Sequence, residues 1–84
     1  MNTGFEKDIT IFSQLLLPEC SEKQAIALLL FYFYGRKKTA SIMGLQINSV
    51  RDYVYRARIK IRKTNDIEDV EHFLIRRILQ KIDY

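Results

Sequence analysis

Apolar residues recur every three or four positions along the N-terminal segment, which is the spacing of one face of an α-helix. Thr3 and Glu6 have the form of a capping box, in which a hydroxyl and a carboxylate satisfy the first backbone amides. Pro18 cannot continue a helix. We therefore predict a first helix over residues 4–17. Its apolar positions are Phe5, Ile9, Phe12 and Leu16.

A second capping box, formed by Ser21 and Gln24, introduces a segment that is apolar on nearly all sides. This pattern predicts a central helix over residues 22–34, ended by Gly35. The aromatic run at residues 31–34 would also suit a β-strand, but the chain offers no partner strand and no hairpin signal. Helix is therefore the prediction.

The next segment has the pattern of a short helix, a tight turn and a long helix. We predict the short helix over residues 37–43, the turn at Gly44, and the long helix over residues 47–63. Gln46 and Asn48 could each cap the long helix. Its buried stripe is expected to consist of Ile47, Val50, Val54, Ala57 and Ile61.

A last helix is predicted over residues 66–82, with Asn65 and Glu68 as a third capping box. Its apolar positions cover more than half of the circumference, which is wider than the stripe of a monomeric surface helix. This favours a homodimer through the helix, although the first helix could instead cover the same surface within one subunit. The expected interface residues are Ile67, Val70, Leu74, Ile75, Ile78 and Ile82.

Together these elements predict an all-α fold, a small helical bundle of about five helices in a single domain at residues 1–84. Within it we expect an N-terminal helix at 4–17, a helix-turn-helix core at 21–63 and a C-terminal dimerisation helix at 65–83. The longest apolar run has ten residues, too few to cross a bilayer. We expect a cytoplasmic protein, associated by its function with the bacterial nucleoid.

Charge is distributed very unevenly. Residues 36–63 hold nine of the fourteen lysines and arginines and a single acid, Asp52. The rest of the chain carries more acids than bases. A basic block on a weakly acidic body is typical of proteins that bind polyanions.

The polar residues of the helix at 47–63 are divided as a DNA recognition helix requires. Side chains that could read nucleobases lie in its first turns, and lysines and arginines that could contact phosphates lie along its flanks. The alternative is a solvated basic helix face. The expected base-reading residues are Asn48, Arg51, Asp52 and Tyr55. The expected phosphate contacts are Arg36, Lys37, Lys38, Ser49, Arg56, Arg58, Lys60, Arg62 and Lys63.

Ala40, Gly44 and Val50 fall at the spacing of a helix-turn-helix, in which a small residue, a turn residue and an apolar anchor are needed. The surrounding stretch reads Thr39-Ala40, Ser41-Ile42, Met43-Gly44-Leu45-Gln46, Ile47-Asn48, Ser49-Val50-Arg51, Asp52, Tyr53 and, further on, Lys60-Ile61. With Leu29-Leu30 upstream, residues 20–63 resemble the helix-turn-helix domain of LuxR/FixJ/GerE-type transcription regulators. The chain departs from that pattern at Lys23, Ala25, Thr39, Gln46 and Tyr53.

The resemblance implies that Arg51 contacts a base, that Ser49 lies near phosphate and that Tyr55 lies on the groove side. It also implies dimerisation through the last helix and regulation of transcription at an inverted repeat. Val50 through Arg62 bear a weaker resemblance to region 4 of bacterial sigma factors, which implies contact with RNA polymerase. The alternative function is a protein-interaction module that pairs with a full-length regulator or with RNA polymerase.

An enzyme is not expected. The chain has no Gly-rich phosphate loop and no nucleophile beside a base, and we predict neither a cofactor nor a metal. His72 has no companion ligands in the sequence. Cys20, just before a helix start, could have a lowered pKa, although a plain buried thiol is the expectation.

Overall fold

The structure, a computed structural model, describes residues 3–82 and, from residue 4 onward, their side chains. Within this part of the chain the regular elements are all α-helices, which confirms the predicted fold class. There are four: α1 Thr3–Leu16, α2 Glu22–Met43, α3 Ile47–Asn65 and α4 Val70–Ile82. The expected fifth helix is missing because the two helices predicted at 22–34 and 37–43 form one interrupted element, α2. The side chain of Thr3 lies outside the described residues, so the first capping box stays a prediction.

Gly35 interrupts α2 without ending it. Its backbone has φ 82° and ψ 174°, a conformation outside the helical region. The Thr39 hydroxyl donates a hydrogen bond of 2.7 Å to the Gly35 carbonyl, and the Thr39 side chain is fully buried. The predicted break is therefore in the right place, but the chain resumes a helix at once, so that α2 is bent there.

The start of α2 follows its sequence signal. The Ser21 hydroxyl accepts a hydrogen bond of 3.3 Å from the Gln24 amide, and the Gln24 side-chain oxygen accepts one of 3.1 Å from the Ser21 amide. These reciprocal bonds confirm the capping box. By contrast, Gln46 precedes α3 without a side-chain cap bond, and Asn48 lies inside that helix.

The core lies where α2 packs most extensively on α3, with α1 against α2 and α4 closing the bundle. The predicted stripe of α3 is confirmed at four positions, with Ile47 packed at its edge. The buried side chains of this stripe are Val50, Val54, Ala57 and Ile61. Because one face of α3 is committed to the core, the opposite face is left to solvent.

The connection between α3 and α4 differs from the prediction. Asn65 is the last residue of α3, and Asp66 follows it in the left-handed conformation with φ 53°. Helix α4 begins only at Val70, where the Asp69 carboxylate accepts a hydrogen bond of 3.0 Å from the His72 amide. The predicted capping box of Asn65 and Glu68 is therefore wrong, because α3 runs on through Asn65 and Asp69 takes the capping role.

A partly buried polar network links three parts of the chain. Arg77 on α4 donates a hydrogen bond of 2.7 Å to Glu19 and one of 3.0 Å to the Leu16 carbonyl. Asn65 donates a hydrogen bond of 2.7 Å to the other oxygen of the Glu19 carboxylate. Burial raises the pKa of Glu19, but the bonds from Arg77 and Asn65 outweigh it, so the pKa lies below its ordinary value. The network joins the α1–α2 connection to the end of α3 and to α4.

Substitutions of Gly35 and Gly44 test the backbone conformation at these two positions. A Cβ at either residue would meet no atom within 4 Å, so any loss of stability would come from the backbone and not from a steric clash. Gly44 is in the left-handed helical region with φ 67° and ψ 35°, which asparagine tolerates. Gly35 has a combination of φ and ψ that essentially only glycine adopts without strain. We expect Gly44→Ala to lower the free energy of unfolding by about 1 kcal/mol and Gly35→Ala by about 2 kcal/mol. Urea denaturation measures both.

Asparagine provides the control for that experiment. Gly44→Asn should recover part of the stability lost in Gly44→Ala, while Gly35→Asn should recover none. Equal recovery at the two positions would contradict the backbone conformation at Gly35.

Candidate nucleic-acid interface

The solvent face of α3 gathers the four residues that the sequence singled out as base readers. Asn48, Arg51, Asp52 and Tyr55 line one shallow hollow of about 560 Å³ in the N-terminal half of the helix. All four are exposed, and Tyr55 is 62% exposed. The spacing in the sequence thus predicted correctly that these side chains share one accessible face.

One of the four already has a partner. Asp52 forms an ion pair of 3.3 Å with Arg56, one helical turn later, and both side chains are more than half exposed. A pair this exposed contributes little to stability. Its groups can therefore exchange partners readily, so Asp52 and Arg56 both remain available to a ligand.

Arg58 has a different environment from the other basic residues of α3. Its guanidinium is paired with Glu71 on α4, and its side chain is 25% exposed. The hydrogen bond from Arg58 lowers the pKa of Glu71. Arg58 therefore fastens α3 to α4, and removing it would disturb the fold as well as any phosphate contact.

The other expected phosphate contacts lie on α2 and α3. Three exposed bases, Arg36, Lys37 and Lys38, begin the part of α2 that follows Gly35. On α3 itself Ser49, Arg56, Lys60 and Lys63 are exposed, and Arg62 is half-buried. The structure thus places most of the predicted phosphate-binding residues at the surface.

The proposed dimer helix is divided between core and surface. Val70 and Leu74 are 2% and 1% exposed, so they belong to the core of the subunit and are not accessible to a partner. Ile67 and Ile78 are half-buried against that core. On the outer side, Ile75 and Ile82 are exposed.

Leu79 was missing from the predicted interface, yet it is 55% exposed. It lies four residues after Ile75 and three before Ile82, so the three side chains fall on one side of the helix. We call Ile75, Leu79 and Ile82 the α4 strip. The alternative prediction was that α1 covers the apolar surface of α4 within one subunit. This is the case on the inner side of α4, because Leu16 of α1 belongs to the same buried cluster as Val70 and Leu74.

Cys20 is no candidate for nucleophilic chemistry. Burial, with the charge of Glu19 adding to it, raises the pKa of the thiol to about 11. Its sulfur lies 3.8 Å from the Ala57 carbonyl, to which the thiol donates. The alternative of a lowered pKa is therefore wrong, because the thiol is enclosed by the core.

Between residues 3 and 82 there is no group of three or more His, Cys, Asp or Glu side chains that could hold a metal ion. No helix in the same range is long and apolar enough to span a membrane.

Comparison with known proteins gives no relative. No protein-family model matches the chain, and neither a curated protein nor a solved structure matches it.

Proposed function

We propose that this protein is a sequence-specific DNA-binding transcription regulator whose helix α3 enters the major groove. The observation that carries the proposal is the shared exposed face of Asn48, Arg51, Asp52 and Tyr55 at the start of α3. A recognition helix presents base-reading groups in its first turns. The left-handed turn at Gly44, directly after α2, supports a helix-turn-helix arrangement of the two helices.

Each of these four side chains has a chemical match on a base edge. Arg51 can donate two hydrogen bonds to O6 and N7 of guanine, and Asn48 can pair with adenine. Asp52 can accept from N4 of cytosine once it leaves Arg56. Tyr55 can contact a thymine methyl group or a phosphate.

The surrounding cations supply affinity without sequence information. These exposed cations are Arg36, Lys37 and Lys38 on α2 and Lys60 and Lys63 in the later turns of α3. Contacts of this kind to phosphates release counterions, so binding should weaken steeply as salt is added.

A homodimer through the α4 strip completes the proposal. Ile75, Leu79 and Ile82 are exposed apolar side chains on one side of a helix, and a symmetric pair would remove them from water. Two copies of α3 would then read an inverted repeat with half-sites about one DNA turn apart.

One observation favours a second candidate, a protein-interaction module that pairs with a full-length regulator or with RNA polymerase. On α1, Ile11 and Leu15 are 50% and 60% exposed and one helical turn apart, and the α4 strip does not account for them. Such a module would not need the four side chains on α3. Their contribution to DNA binding therefore discriminates the two candidates.

Substitution of Arg51 tests the proposal. We expect Arg51→Ala to weaken binding to the preferred duplex by about 1–3 kcal/mol and to relax the preference at one base pair. The reason is that alanine has no group that can donate the two hydrogen bonds of arginine to guanine. The measurement is a titration of labelled duplexes that differ at single positions.

The matched control is Lys63→Ala, since Lys63 is exposed on the same helix and away from the four readers. It should weaken binding to all sequences alike and reduce the slope of affinity against salt by about one. Arg58 is unsuitable as this control because it also holds Glu71. Identical behaviour of the Arg51 and Lys63 variants would contradict the assignment of Arg51 as a base reader.

A further inference from the structure

A group of aromatic side chains is exposed where α2 bends, on a helix other than the proposed recognition helix. Tyr32, Phe33 and Tyr34 are 36%, 56% and 51% exposed. We call these three residues the aromatic ledge. The exposed aromatic residues among side chains 4–82 are Phe5, Tyr32, Phe33, Tyr34 and Tyr55, and four of these five belong to the ledge or to α3. Three neighbouring rings exposed together form an apolar patch, and such a patch marks a candidate interaction site.

The rings are arranged at the end of a helix. Successive residues of an α-helix point about 100° apart, so the ledge presents rings in several directions around the last turn before Gly35. Tyr32 and Phe33 meet edge to face, with ring centroids 5.4 Å apart. The edge of one ring thus covers part of one face of the other, and the remaining ring faces can receive another planar group.

Cations accompany the rings. The three residues that follow Gly35 are Arg36, Lys37 and Lys38, and all are exposed. The Lys38 ammonium lies 5.6 Å from the centroid of the Tyr34 ring, over its face. No acidic residue occurs between Lys23 and Asp52 in the sequence, so this part of the surface is cationic along the chain.

Phe31 connects the ledge to α3. Together with Arg51, Tyr55 and Arg58 it lines a shallow hollow of about 240 Å³. Aromatic rings and cations thus continue from the bend of α2 to the N-terminal half of α3. A ligand lying along this path would meet flat apolar rings beside positive charges.

We infer that the aromatic ledge binds unpaired nucleotides of a single-stranded nucleic acid, whose bases stack on the rings and whose phosphates contact Arg36, Lys37 and Lys38. Aromatic platforms beside cations are the usual means of binding single strands, since every base has a stacking face. An acidic protein segment would satisfy the cations but would leave most ring faces unused. The inference goes beyond the proposed reading of duplex DNA and does not require it.

The test uses the full chain and a fluorescent oligothymidylate of about 15 nucleotides, a length that covers the usual range of single-strand sites. Oligothymidylate forms no duplex with itself, so it reports single-strand binding alone. We expect the native chain to bind it, with an affinity that falls as salt rises. Phe33→Leu and Tyr34→Leu should each lower that affinity by about 5-fold or more, because leucine keeps an apolar side chain but offers no ring to stack on.

The control substitution is Phe5→Leu, which makes the same exchange of an exposed ring for leucine on α1 and should leave oligothymidylate binding unchanged. Far-ultraviolet circular dichroism checks that each variant is folded. We expect all of them to fold, because the substituted side chains are exposed. Absence of oligothymidylate binding in the native chain would overturn the inference. So would leucine variants that bind like the native chain, since charge alone would then explain the binding.

The same variants separate this inference from the proposed function. The ledge variants should keep their affinity for duplex DNA within about two-fold, while Arg51→Ala should weaken binding to the preferred duplex by about 5-fold or more. Duplex binding without oligothymidylate binding would overturn the role of the ledge alone. Oligothymidylate binding without duplex binding would overturn the proposed function alone.

Loss of self-association in the ledge variants, with no oligothymidylate binding by the native chain, would assign the ledge to a subunit contact and refute the inference.

Discussion

Leu74→Ala is expected to lower the free energy of unfolding by about 2–5 kcal/mol, because it opens a cavity in the core. Leu74 is 1% exposed and belongs to the same buried cluster as Leu16, Val70 and Ile61. A small domain has a thin margin of stability, so a loss of this size would unfold a large fraction of the protein. Urea denaturation at a fixed protein concentration measures it, since the proposed dimer would make stability depend on concentration.

Leu79→Ala on the same helix is the matched comparison. Leu79 is 55% exposed, so its substitution should change the unfolding free energy of the monomer by less than about 1 kcal/mol. It should instead weaken the dimer, which sedimentation across a series of protein concentrations measures. A greater loss of monomer stability in Leu79→Ala than in Leu74→Ala would reverse the assignment of inner and outer faces. A native chain that stays monomeric throughout the series would refute the dimer.

Arg77→Ala is expected to lower the free energy of unfolding by about 3 kcal/mol at neutral pH, because it leaves the Glu19 carboxylate buried without its cation. The Glu19 side chain is 6% exposed and that of Arg77 is 24% exposed, so solvent replaces little of the lost interaction. Arg77 also lies over the Phe73 ring, 4.5 Å from its centroid. Denaturation of native and variant chains at neutral pH measures the difference.

The pH dependence of this loss follows from the lowered pKa of Glu19. A carboxyl whose pKa is lower in the folded state stabilises the fold above its ordinary pKa of 4.5, and this contribution disappears as the pH falls through the lowered value. The gap in stability between native and Arg77→Ala chains should therefore shrink in acid. Arg76→Ala removes the same charge from an exposed neighbour and should have little effect at any pH. Equal losses in the two variants would contradict the partly buried network.

The features that the sequence predicted well are local in the chain. The stripe of Val50, Val54, Ala57 and Ile61 obeys helical spacing over three turns, so its burial follows from the period alone. The Ser21–Gln24 box depends on two residues three apart and formed as expected. The grouping of Asn48, Arg51, Asp52 and Tyr55 on one face follows from the same spacing.

The features that the sequence did not predict depend on contacts between distant residues. Glu19 and Arg77 are 58 residues apart, and their charges alone gave no sign of a pair. Arg58 was grouped with the phosphate contacts, yet Glu71 on α4 holds it. The apolar residues of α4 were visible as a broad stripe, but only packing decides that Leu74 faces inward and Leu79 outward.

The ends of helices were the local feature that was hardest to predict, as the end of α3 and the start of α4 show. Asn65, Asp66, Glu68 and Asp69 lie within five residues, and more than one of them can cap a helix. Sequence preference does not rank Asn65 against Asp69. The choice follows from the Asn65 side chain, which bonds to Glu19 and to the Ile61 carbonyl and so stays in α3.

Selection from a pool of random duplex DNA at two salt concentrations, with sequencing of the retained molecules, tests the central claim most directly. We expect an inverted repeat whose half-sites lie about one DNA turn apart, and an affinity that falls steeply with salt. Absence of binding at low salt would contradict the assignment of α3 as a DNA-binding helix. Salt-sensitive binding without any common sequence would contradict base reading by Asn48, Arg51, Asp52 and Tyr55.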